Sequence, residues 1–419
     1  MPTNNALDLR RRGSGPAVQH HVRDASTGAP NALTISIVMP CLNEAETVAE
    51  CVRTARQAIE DLGVDGEVVV ADNGSTDGSI ELARRAGARV VHVAARGYGA
   101  AIMAGVEASY GKYVLMGDAD DSYDFAMLPT FLAELEKGAE HVQGCRMPSG
   151  GGRVMPGAMP VLHRWWGNPM FSWMARTWFH APIHDVQCGL RAFTRELFDR
   201  MDLRCVSMEF SSEMVIKAAL AGARMSEVPI ILRPDGRTTH PPHLKTFRDG
   251  WRNLRFYLMY SPRWLYLLPG IAAIVLGLAG CAIALPGLTI GGVHFDVSTL
   301  LVSGLAVLLG YQAIIFAILT KAFAIAEGML PTDLRMARFF RFMNLERGLL
   351  LGLTSAVAGF GLLAVAVNHW RLANFGPLDY PRTLRWVIPG VILAALGVET
   401  VFASFFASVL GLPRRGRRA

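Results

Sequence analysis

Four long apolar runs in the C-terminal half constrain the fold of this 419-residue chain most strongly. Each run has about 20 residues or more, enough for a helix to cross roughly 30 Å of hydrocarbon. Each is apolar on all sides rather than along one stripe, which argues against a soluble helical bundle. The sequence therefore predicts a transmembrane domain of four helices over residues 264–411, with spans at about 264–285, 300–319, 348–367 and 386–410.

Basic residues predict the orientation of these spans. The loop after the second span carries Lys321 and four arginines, and the basic tail 412–419 carries four more, whereas loop 286–299 has no Lys or Arg and loop 369–385 has three arginines. Lys and Arg are enriched in cytoplasmic loops. An even number of spans then places the N-terminal half and both termini in the cytoplasm. We therefore expect a multi-pass protein of the plasma (inner) membrane.

Two further segments are predicted to lie along the membrane surface. Residues 241–263 combine an apolar stripe with an adjacent basic stripe, a pattern typical of juxtamembrane helices in the headgroup region; packing of this helix on the preceding domain is the alternative. Residues 322–342 mix phenylalanines with arginines in the same way. The stripes of the first segment are Leu244, Phe247, Trp251, Leu254 and Leu258, beside Lys245, Arg248, Arg252 and Arg255.

The N-terminal half has the pattern of an α/β domain. Residues 1–33 are polar and rich in Gly, Pro and Asn, which predicts a disordered arm. Over residues 34–240, strand-like and helix-like patterns alternate, which predicts a mostly parallel sheet covered on both faces. The strand-like runs are 34–39, 67–71, 88–93, 112–117, 140–145 and 227–232, and the helical patterns are 45–62, 79–86, 99–110 and 127–137.

An acidic cluster, Asp118-Ala-Asp-Asp121, follows directly after the strand-like run 112–117. In an open α/β sheet, ligands bind at the carboxyl ends of the strands. Neighbouring carboxylates repel each other, so a divalent cation is their natural partner, and Mg²⁺ commonly joins one or two carboxylates to substrate phosphates. The cluster therefore predicts a cation–diphosphate site, with a solvated turn as the alternative.

Polar residues at two other predicted strand ends favour the cation–diphosphate site. Asn43 and Glu44 follow the first strand, and Asp72 and Asn73 follow the second. Carboxylates can accept hydrogen bonds from ribose hydroxyls and from base N–H groups. Three strand ends that carry carboxylates and amides therefore form a crevice suited to a nucleotide.

Six short motifs lie in a specific order and spacing between residues 34 and 260: Met39–Glu44, Asp72–Gly78, Arg96–Ala100, Gly117–Asp120, Gly144–Arg146 and Asp185–Arg191. In this order they resemble the motifs of family 2 glycosyltransferases, in the polyprenyl-phosphate glycosyltransferase (dolichol-phosphate sugar synthase-like) branch. The sequence departs from the commonest pattern at Asn73, where an aspartate is common, and at Ser122, where a glutamine is common. Both departures concern the donor side, so the identity of the sugar stays open.

This resemblance implies a GT-A (Rossmann-like) catalytic domain over residues 34–240 and an inverting, metal-dependent enzyme. Such an enzyme transfers one hexose from a nucleotide-diphosphate sugar, here UDP-glucose in preference to GDP-mannose. The implied acceptor is a membrane polyprenyl phosphate of the undecaprenyl or dolichyl type. Mg²⁺ or Mn²⁺ is the implied cofactor.

The resemblance also implies roles for individual residues. The catalytic residues are Asp118, Asp120 and Arg146, and the two aspartates hold the metal. The donor nucleotide contacts Pro40, Asn43, Glu44, Asp72, Gly97 and Asp118. The acceptor phosphate contacts Arg146, Arg164, Asn168, Asp185 and Arg191. A structural ion pair between Asp185 and Arg191 is the alternative for these last two residues.

The chemistry of a phosphate acceptor agrees with these motifs. A phosphate monoester has a second pKa near 6, so it is largely dianionic at neutral pH and needs no strong general base. The protein must instead hold two anions close together, for which metal ions and arginines are suited. Two other functions stay open. A different membrane lipid acceptor, such as a hydroxyl, would need a general base, and a degenerate transferase domain would serve as a non-catalytic scaffold.

Four further features narrow the interpretation. The net charge of +6 is modest, and basic residues cluster near the apolar runs, which favours anionic lipid over nucleic acid as a partner. Ile102 replaces the third glycine of a partial dinucleotide motif, which argues against a dehydrogenase. Val161 stands where processive polysaccharide synthases have glutamine, which favours transfer of a single sugar. Glu399 lies mid-span, where a contact with another helix or subunit is one role, so a homo-oligomer stays open.

Overall fold

The computed structural model describes residues 33–237 and 246–410. The predicted arm (apart from its last residue), the basic tail 412–419 and the stretch 238–245, which includes Leu244 and Lys245, lie outside the described residues. Within the described ranges, strands and helices alternate through the N-terminal half, and long helices make up most of the C-terminal half.

The strands of the N-terminal half are β1 (Ile35–Cys41), β2 (Gly66–Asp72), β3 (Arg89–His92), β4 (Tyr113–Met116), β5 (His141–Cys145), β6 (Arg153–Val154), β7 (Arg191–Thr194), β8 (Met225–Pro229) and β9 (Ile231–Leu232). Seven of them form one sheet in the order β3-β2-β1-β4-β7-β5-β8, while β6 pairs with β9. All neighbours in the large sheet are parallel except β7, which is antiparallel to both β4 and β5. The mostly parallel sheet is therefore confirmed.

The helices of this half are α1 (Val48–Leu62), α2 (Ser79–Arg85), α3 (Tyr98–Ala108), α4 (Leu128–Glu136), α5 (Asn168–Phe179), α6 (Arg195–Met201) and α7 (Phe210–Leu220). They cover both faces of the sheet. The side chains of successive strand residues point to opposite faces, so neighbouring residues pack against different helices. Ile37 packs in the core with residues of α1 and α4, whereas its neighbour Val38 packs with residues of α3 and α7. Both are fully buried, which explains why β1 is apolar without interruption.

The antiparallel strand β7 was not predicted from the sequence, and neither were α6 and α7. Strand β7 has only four residues, Arg-Ala-Phe-Thr, and so short a run shows no clear alternation of apolar and polar residues. Insertion of β7 between β4 and β5 brings the loop before it, residues 185–190, to the same edge of the sheet as the acidic cluster. This placement decides which charged residues meet in the site.

The C-terminal half contains α8 (Thr246–Tyr260), α9 (Leu268–Ala284), α10 (Val297–Ala326), α11 (Leu334–Phe342), α12 (Leu345–Leu372) and α13 (Tyr380–Leu410). Four helical stretches are long and apolar enough to cross a membrane: Arg263–Ala284, Val297–Ala326, Leu345–Leu372 and Tyr380–Leu410. The prediction of four apolar helices in this half is confirmed, although most of them are longer than expected. The predicted surface segment 322–342 is not one element, because its first five residues continue α10 and only α11 is separate.

The membrane helices pack through glycines. A Cβ atom at Gly359 of α12 would lie 2.3 Å from the backbone nitrogen of Ala394, and one at Gly397 of α13 would lie 2.4 Å from that of Ala356. No side chain fits at such distances, so the two backbones touch directly. Close approach of this kind is a common source of stability between helices in lipid, where the hydrophobic effect contributes little.

Helix α8 joins the two halves. Phe256 and Tyr257 are buried against α5 and α7, and Trp178 of α5 stacks on Trp264 at a centroid distance of 5.3 Å. The opposite side of α8 exposes Trp251 and its neighbour one turn earlier, Phe247. Packing on the preceding domain, given above as the alternative, is therefore observed, and the exposed aromatic stripe leaves the predicted membrane contact open.

Candidate active site

Three loops meet at the carboxyl edge of the sheet, because β2, β1 and β4 are parallel neighbours. Hydrogen bonds connect the loops after β1 and β2. Ser75 Oγ accepts from the backbone N–H of Asn43 at 2.9 Å, and Ser79 Oγ accepts from that of Glu44 at 2.8 Å. Pro40 lies opposite Ala71 in the same pair of strands. The residues predicted to contact the donor from these two strands are thus brought together.

Asp72 helps to hold its own loop. Its carboxylate accepts hydrogen bonds from the backbone N–H groups of Ser75 at 3.0 Å and Gly74 at 3.2 Å. Burial opposes ionisation of Asp72, but these hydrogen bonds outweigh burial and hold its pKa below the ordinary value. Asp72 is therefore a charged residue with a fixed orientation.

Asn73 accounts for one departure from the commonest family pattern. Its amide nitrogen donates to the carbonyls of Ala95 and Val93, and its amide oxygen accepts from the backbone N–H of Gly97 at 2.7 Å. An aspartate cannot donate to carbonyls, so asparagine suits this position. Gly97 has a φ of 137°, and a Cβ there would lie 2.1 Å from the carbonyl oxygen of Val206. The backbone conformation and the close approach of Val206 thus require a glycine at position 97, which is predicted to contact the donor nucleotide.

Asp118 and Asp120 lie just beyond β4. One carboxylate oxygen of Asp118, Oδ1, is buried and has no hydrogen-bond partner in the part of the chain that the structure describes. Burial, and next the charge of Asp120, raise the pKa of Asp118 above its ordinary value. Asp120 Oδ1 accepts from the hydroxyl of Ser122 at 2.6 Å, so the unusual Ser122 orients this carboxylate.

These two carboxylates fit a divalent cation. A cation would satisfy the unpartnered oxygen of Asp118 and would offset the repulsion between the two charges. Among residues 33–237 and 246–410, no group of three or more His, Cys, Asp or Glu side chains could hold a metal ion by itself. The protein would therefore supply the two aspartates, and substrate phosphates and water would complete the coordination, as is usual for Mg²⁺.

Arg237 joins two of the predicted site residues. Its guanidinium donates to Glu44 at 2.9 Å and to Asp120 at 3.1 Å, and its side chain is only 8% exposed. The segment after β9 follows the acidic loop, since the N–H of Gly236 donates to the carbonyl of Asp120 at 2.9 Å. The sequence alone does not predict these two partners of Arg237, because no motif surrounds it and the partners are 117 and 193 residues away.

Arg146 and Asp185 form a buried ion pair beside the acidic cluster. Asp185 accepts from Nε of Arg146 at 2.7 Å and from Nη2 at 2.8 Å. Arg146 Nη1 donates to the hydroxyl of Tyr123 at 3.4 Å. The Tyr123 hydroxyl also accepts from the N–H of Gly189, where a Cβ would lie 2.7 Å from Asp118 Oδ2. Tyr123 and Gly189 therefore connect the surroundings of Arg146 with those of Asp118.

The predicted ion pair between Asp185 and Arg191 is wrong. Strand β7 directs Arg191 into the interior, where the residue is fully buried. Its guanidinium donates to the backbone carbonyls of Cys188, Val186 and Ser211. These hydrogen bonds use the donors of Arg191, so the residue supports the loop 186–191. The expected contact of Arg191 with the acceptor phosphate is not compatible with this position.

Arg164 and Asn168 lie on a separate element. Arg164 is in a π-helical turn, His163–Gly167, with its guanidinium 5.4 Å from the ring centroid of the exposed Trp165. Asn168 begins α5 and is buried, with its amide directed at Met159 Sδ at 3.3 Å. These contacts do not test the expected role of Arg164 and Asn168 at the acceptor phosphate. That role stays a prediction.

Comparison with known proteins decides the family. Residues 36–202 match the model for glycosyl transferase family 2, and residues 318–411 match its C-terminal transmembrane region. The low-salt glycan biosynthesis hexosyltransferase Agl6 of Haloferax volcanii is 34% identical over 398 residues, which cover 94% of this chain and 93% of that protein. The chain belongs to glycosyltransferase family 2. The predicted GT-A catalytic domain followed by four apolar helices is confirmed.

Two further proteins are similar to this family 2 glycosyltransferase. The dolichyl-phosphate hexose transferase of Haloferax volcanii is 34% identical over 200 residues, which cover 48% of this chain and 82% of that protein. A crystal structure of glucosyl-3-phosphoglycerate synthase from Mycobacterium tuberculosis, in complex with Mn²⁺, UDP and glucosyl-3-phosphoglycerate, has a TM-score of 0.43 at 20% identity and covers 54% of this chain and 79% of that one.

Proposed function

We propose that this family 2 glycosyltransferase transfers one hexose from a nucleotide-diphosphate sugar to a membrane polyprenyl phosphate, with inversion at the anomeric carbon. The observation that carries the proposal is the position of Arg146, which donates to the Tyr123 hydroxyl. The same hydroxyl accepts from the N–H of Gly189, and a Cβ at Gly189 would lie 2.7 Å from Asp118 Oδ2. A cation–diphosphate group at the aspartates would then face an acceptor phosphate at the arginine. UDP-glucose is the preferred donor and GDP-mannose the alternative.

Similarity to named relatives supports a polyprenyl-phosphate acceptor. Besides the dolichyl-phosphate hexose transferase, an undecaprenyl-phosphate 4-deoxy-4-formamido-L-arabinose transferase of Salmonella paratyphi B is 30% identical over 203 residues. The attachment of the catalytic domain to membrane helices through α8 agrees with an acceptor that lies in the bilayer. The charge distribution of the loops favours a cytoplasmic catalytic domain.

The residues of the site would act by binding and orientation. The loops at Asn43, Glu44 and Asp72 would line the nucleoside pocket, and Asp118 and Asp120 would hold Mg²⁺ or Mn²⁺. When bound, the cation supplies neutralisation of the diphosphate as it leaves. Arg146 would hold the acceptor phosphate in line with the anomeric carbon.

The chemical step needs no general base. The phosphate acceptor is already largely dianionic at neutral pH, with a second pKa near 6. One of its oxygens forms the new bond to the anomeric carbon, while the bond from that carbon to the diphosphate breaks and its electrons go to the leaving nucleoside diphosphate. No proton is transferred in this step, which agrees with a site built from carboxylates, arginines and backbone groups.

A substrate screen tests the proposal. The full-length protein, reconstituted in vesicles, would be given radiolabelled UDP-glucose, GDP-mannose and other nucleotide sugars with undecaprenyl or dolichyl phosphate. We expect transfer of a single sugar to the polyprenyl phosphate that is lost with EDTA and restored by Mg²⁺ or Mn²⁺. Transfer only to a lipid with a hydroxyl acceptor, with a rate that rises through the titration of a base, would contradict the proposed acceptor.

A further inference from the structure

Glu227 of β8 binds the loop that holds the acceptor-side ion pair. Its Oε1 accepts from the backbone N–H groups of His184 at 2.6 Å and Asp185 at 3.2 Å. Its Oε2 lies 2.6 Å from His184 Nδ1, where the ring N–H donates. The Glu227 side chain is 12% exposed. A single carboxylate thus fixes two successive residues of the loop between α5 and β7.

The same loop determines where Arg146 points. Asp185 is fully buried and accepts three hydrogen bonds from Arg146, one from its backbone N–H and two from its guanidinium. The N–H groups used in this way define the plane of the guanidinium, because its geometry is rigid. The direction of the remaining N–H groups of Arg146 therefore depends on the position of the backbone at Asp185.

A series of contacts connects β8, the last strand of the sheet, with the surroundings of the acidic cluster. It begins at Glu227, passes through the backbone of His184 and Asp185, and reaches Arg146, whose Nη1 donates to Tyr123. Strands β7 and β5 separate β8 from β4, so Glu227 lies on a different strand end from Asp118 and Asp120. Glu227 thus binds the backbone N–H of Asp185, the residue whose carboxylate orients Arg146.

We propose that Glu227 is a positioning residue for the acceptor phosphate, acting through Asp185 on the guanidinium of Arg146. This role rests on the proposed function, in which Arg146 holds that phosphate. It predicts that loss of Glu227 weakens use of the acceptor while use of the nucleotide sugar is unchanged.

The effect of Glu227→Ala on KM tests this role. In reconstituted full-length protein, we expect KM for polyprenyl phosphate to rise about tenfold, since a displacement of roughly 1 Å in a positioned group can cost that much or more. KM for the nucleotide sugar should stay at the wild-type value. Glu227→Gln can keep the bonds to the two backbone N–H groups through its amide oxygen, so its KM for the acceptor should rise less, about twofold to threefold.

Glu140 offers a matched control. It precedes the opposite end of β5, and its side chain is 23% exposed. It accepts from Arg200 Nη2 at 2.9 Å and from the N–H of Arg224 at 3.0 Å. Glu140→Ala should lower the melting temperature about as much as Glu227→Ala, with both KM values unchanged. A rise in both KM values for Glu227→Ala, in step with its loss of stability, would show a merely structural role and overturn the proposal.

A double substitution separates action through Arg146 from any other effect. If Glu227 acts through Arg146, adding Glu227→Ala to Arg146→Ala should not raise the acceptor KM further. Additive effects would overturn the proposal. A wild-type protein that transfers sugar to no polyprenyl phosphate would overturn the proposed function and this role with it, whereas an active wild type with a normal acceptor KM in Glu227→Ala would overturn this role alone.

Discussion

The sheet edge and the membrane helices are held together in opposite ways. At the sheet edge, largely buried charges bind one another across strand ends, as Arg146 binds Asp185 and Arg237 binds Asp120. Between α12 and α13, the backbones touch because Gly359 and Gly397 carry no side chain. The site therefore depends on the identity and charge of a few groups, whereas the membrane half depends on the absence of side-chain volume.

The largest effect is expected from Asp120→Asn at the sheet edge. The substitution preserves size but removes the charge that a divalent cation requires, so transfer should fall by about 1,000-fold or more. The radiolabelled transfer assay measures this. Asp121→Asn is the matched control, because Asp121 has a φ of 60°, which asparagine tolerates. This control should leave turnover near the wild-type value. Near-normal turnover in Asp120→Asn would show that the metal is held elsewhere.

Arg237→Gln should reduce both activity and stability. Its removal leaves Glu44 and Asp120 without their shared cationic partner in a largely buried position, at a cost of about 3 kcal/mol. The melting temperature of the full-length protein in detergent measures this, and Mg²⁺ should raise it more in the variant than in the wild type. Arg233→Gln is the control, since that side chain is 47% exposed. Equal responses of both variants would argue against a special role for Arg237.

A glycine substitution tests the membrane half. Gly397→Ala places a methyl group against the backbone of α12, which should destabilise the helix pair by about 1 to 3 kcal/mol. Binding of the nucleotide sugar should be unchanged, because the donor site is far along the chain in the other domain. Gly361→Ala on α12 is the control, since a Cβ there meets nothing within 4 Å. Equal melting temperatures for the two variants would contradict the packing described for α12 and α13.

The smallest effect is expected at the exposed aromatic side of α8. Trp251 is 61% exposed although it belongs to a helix that is docked on the catalytic domain. If this side contacts the headgroup region, Trp251→Ala should lower transfer in vesicles by about twofold to fivefold. Transfer in detergent and the melting temperature should not change. An equal loss in vesicles and in detergent would point to a role in the domain rather than at the membrane.

Much of the fold could be predicted from the sequence because its signals are local. The apolar runs fix the membrane spans by length and composition, and the uninterrupted apolar strand at Ile37 and Val38 indicates burial on both faces. The predicted start of the surface segment 322–342 is wrong, since a membrane helix need not end where its apolar stretch ends. The four-residue β7 was missed because so short a strand shows no clear pattern.

Two features follow from the amino-acid sequence alone: an α/β domain precedes four apolar helices, and carboxylates gather at the ends of its strands. Each of these features is written in neighbouring residues. The folded chain is needed to show that Asp185 binds Arg146 rather than Arg191, and that Arg237 binds Asp120. These partners are 39 and 117 residues apart, and they meet because β7 enters the sheet in the antiparallel direction and the segment after β9 follows the acidic loop.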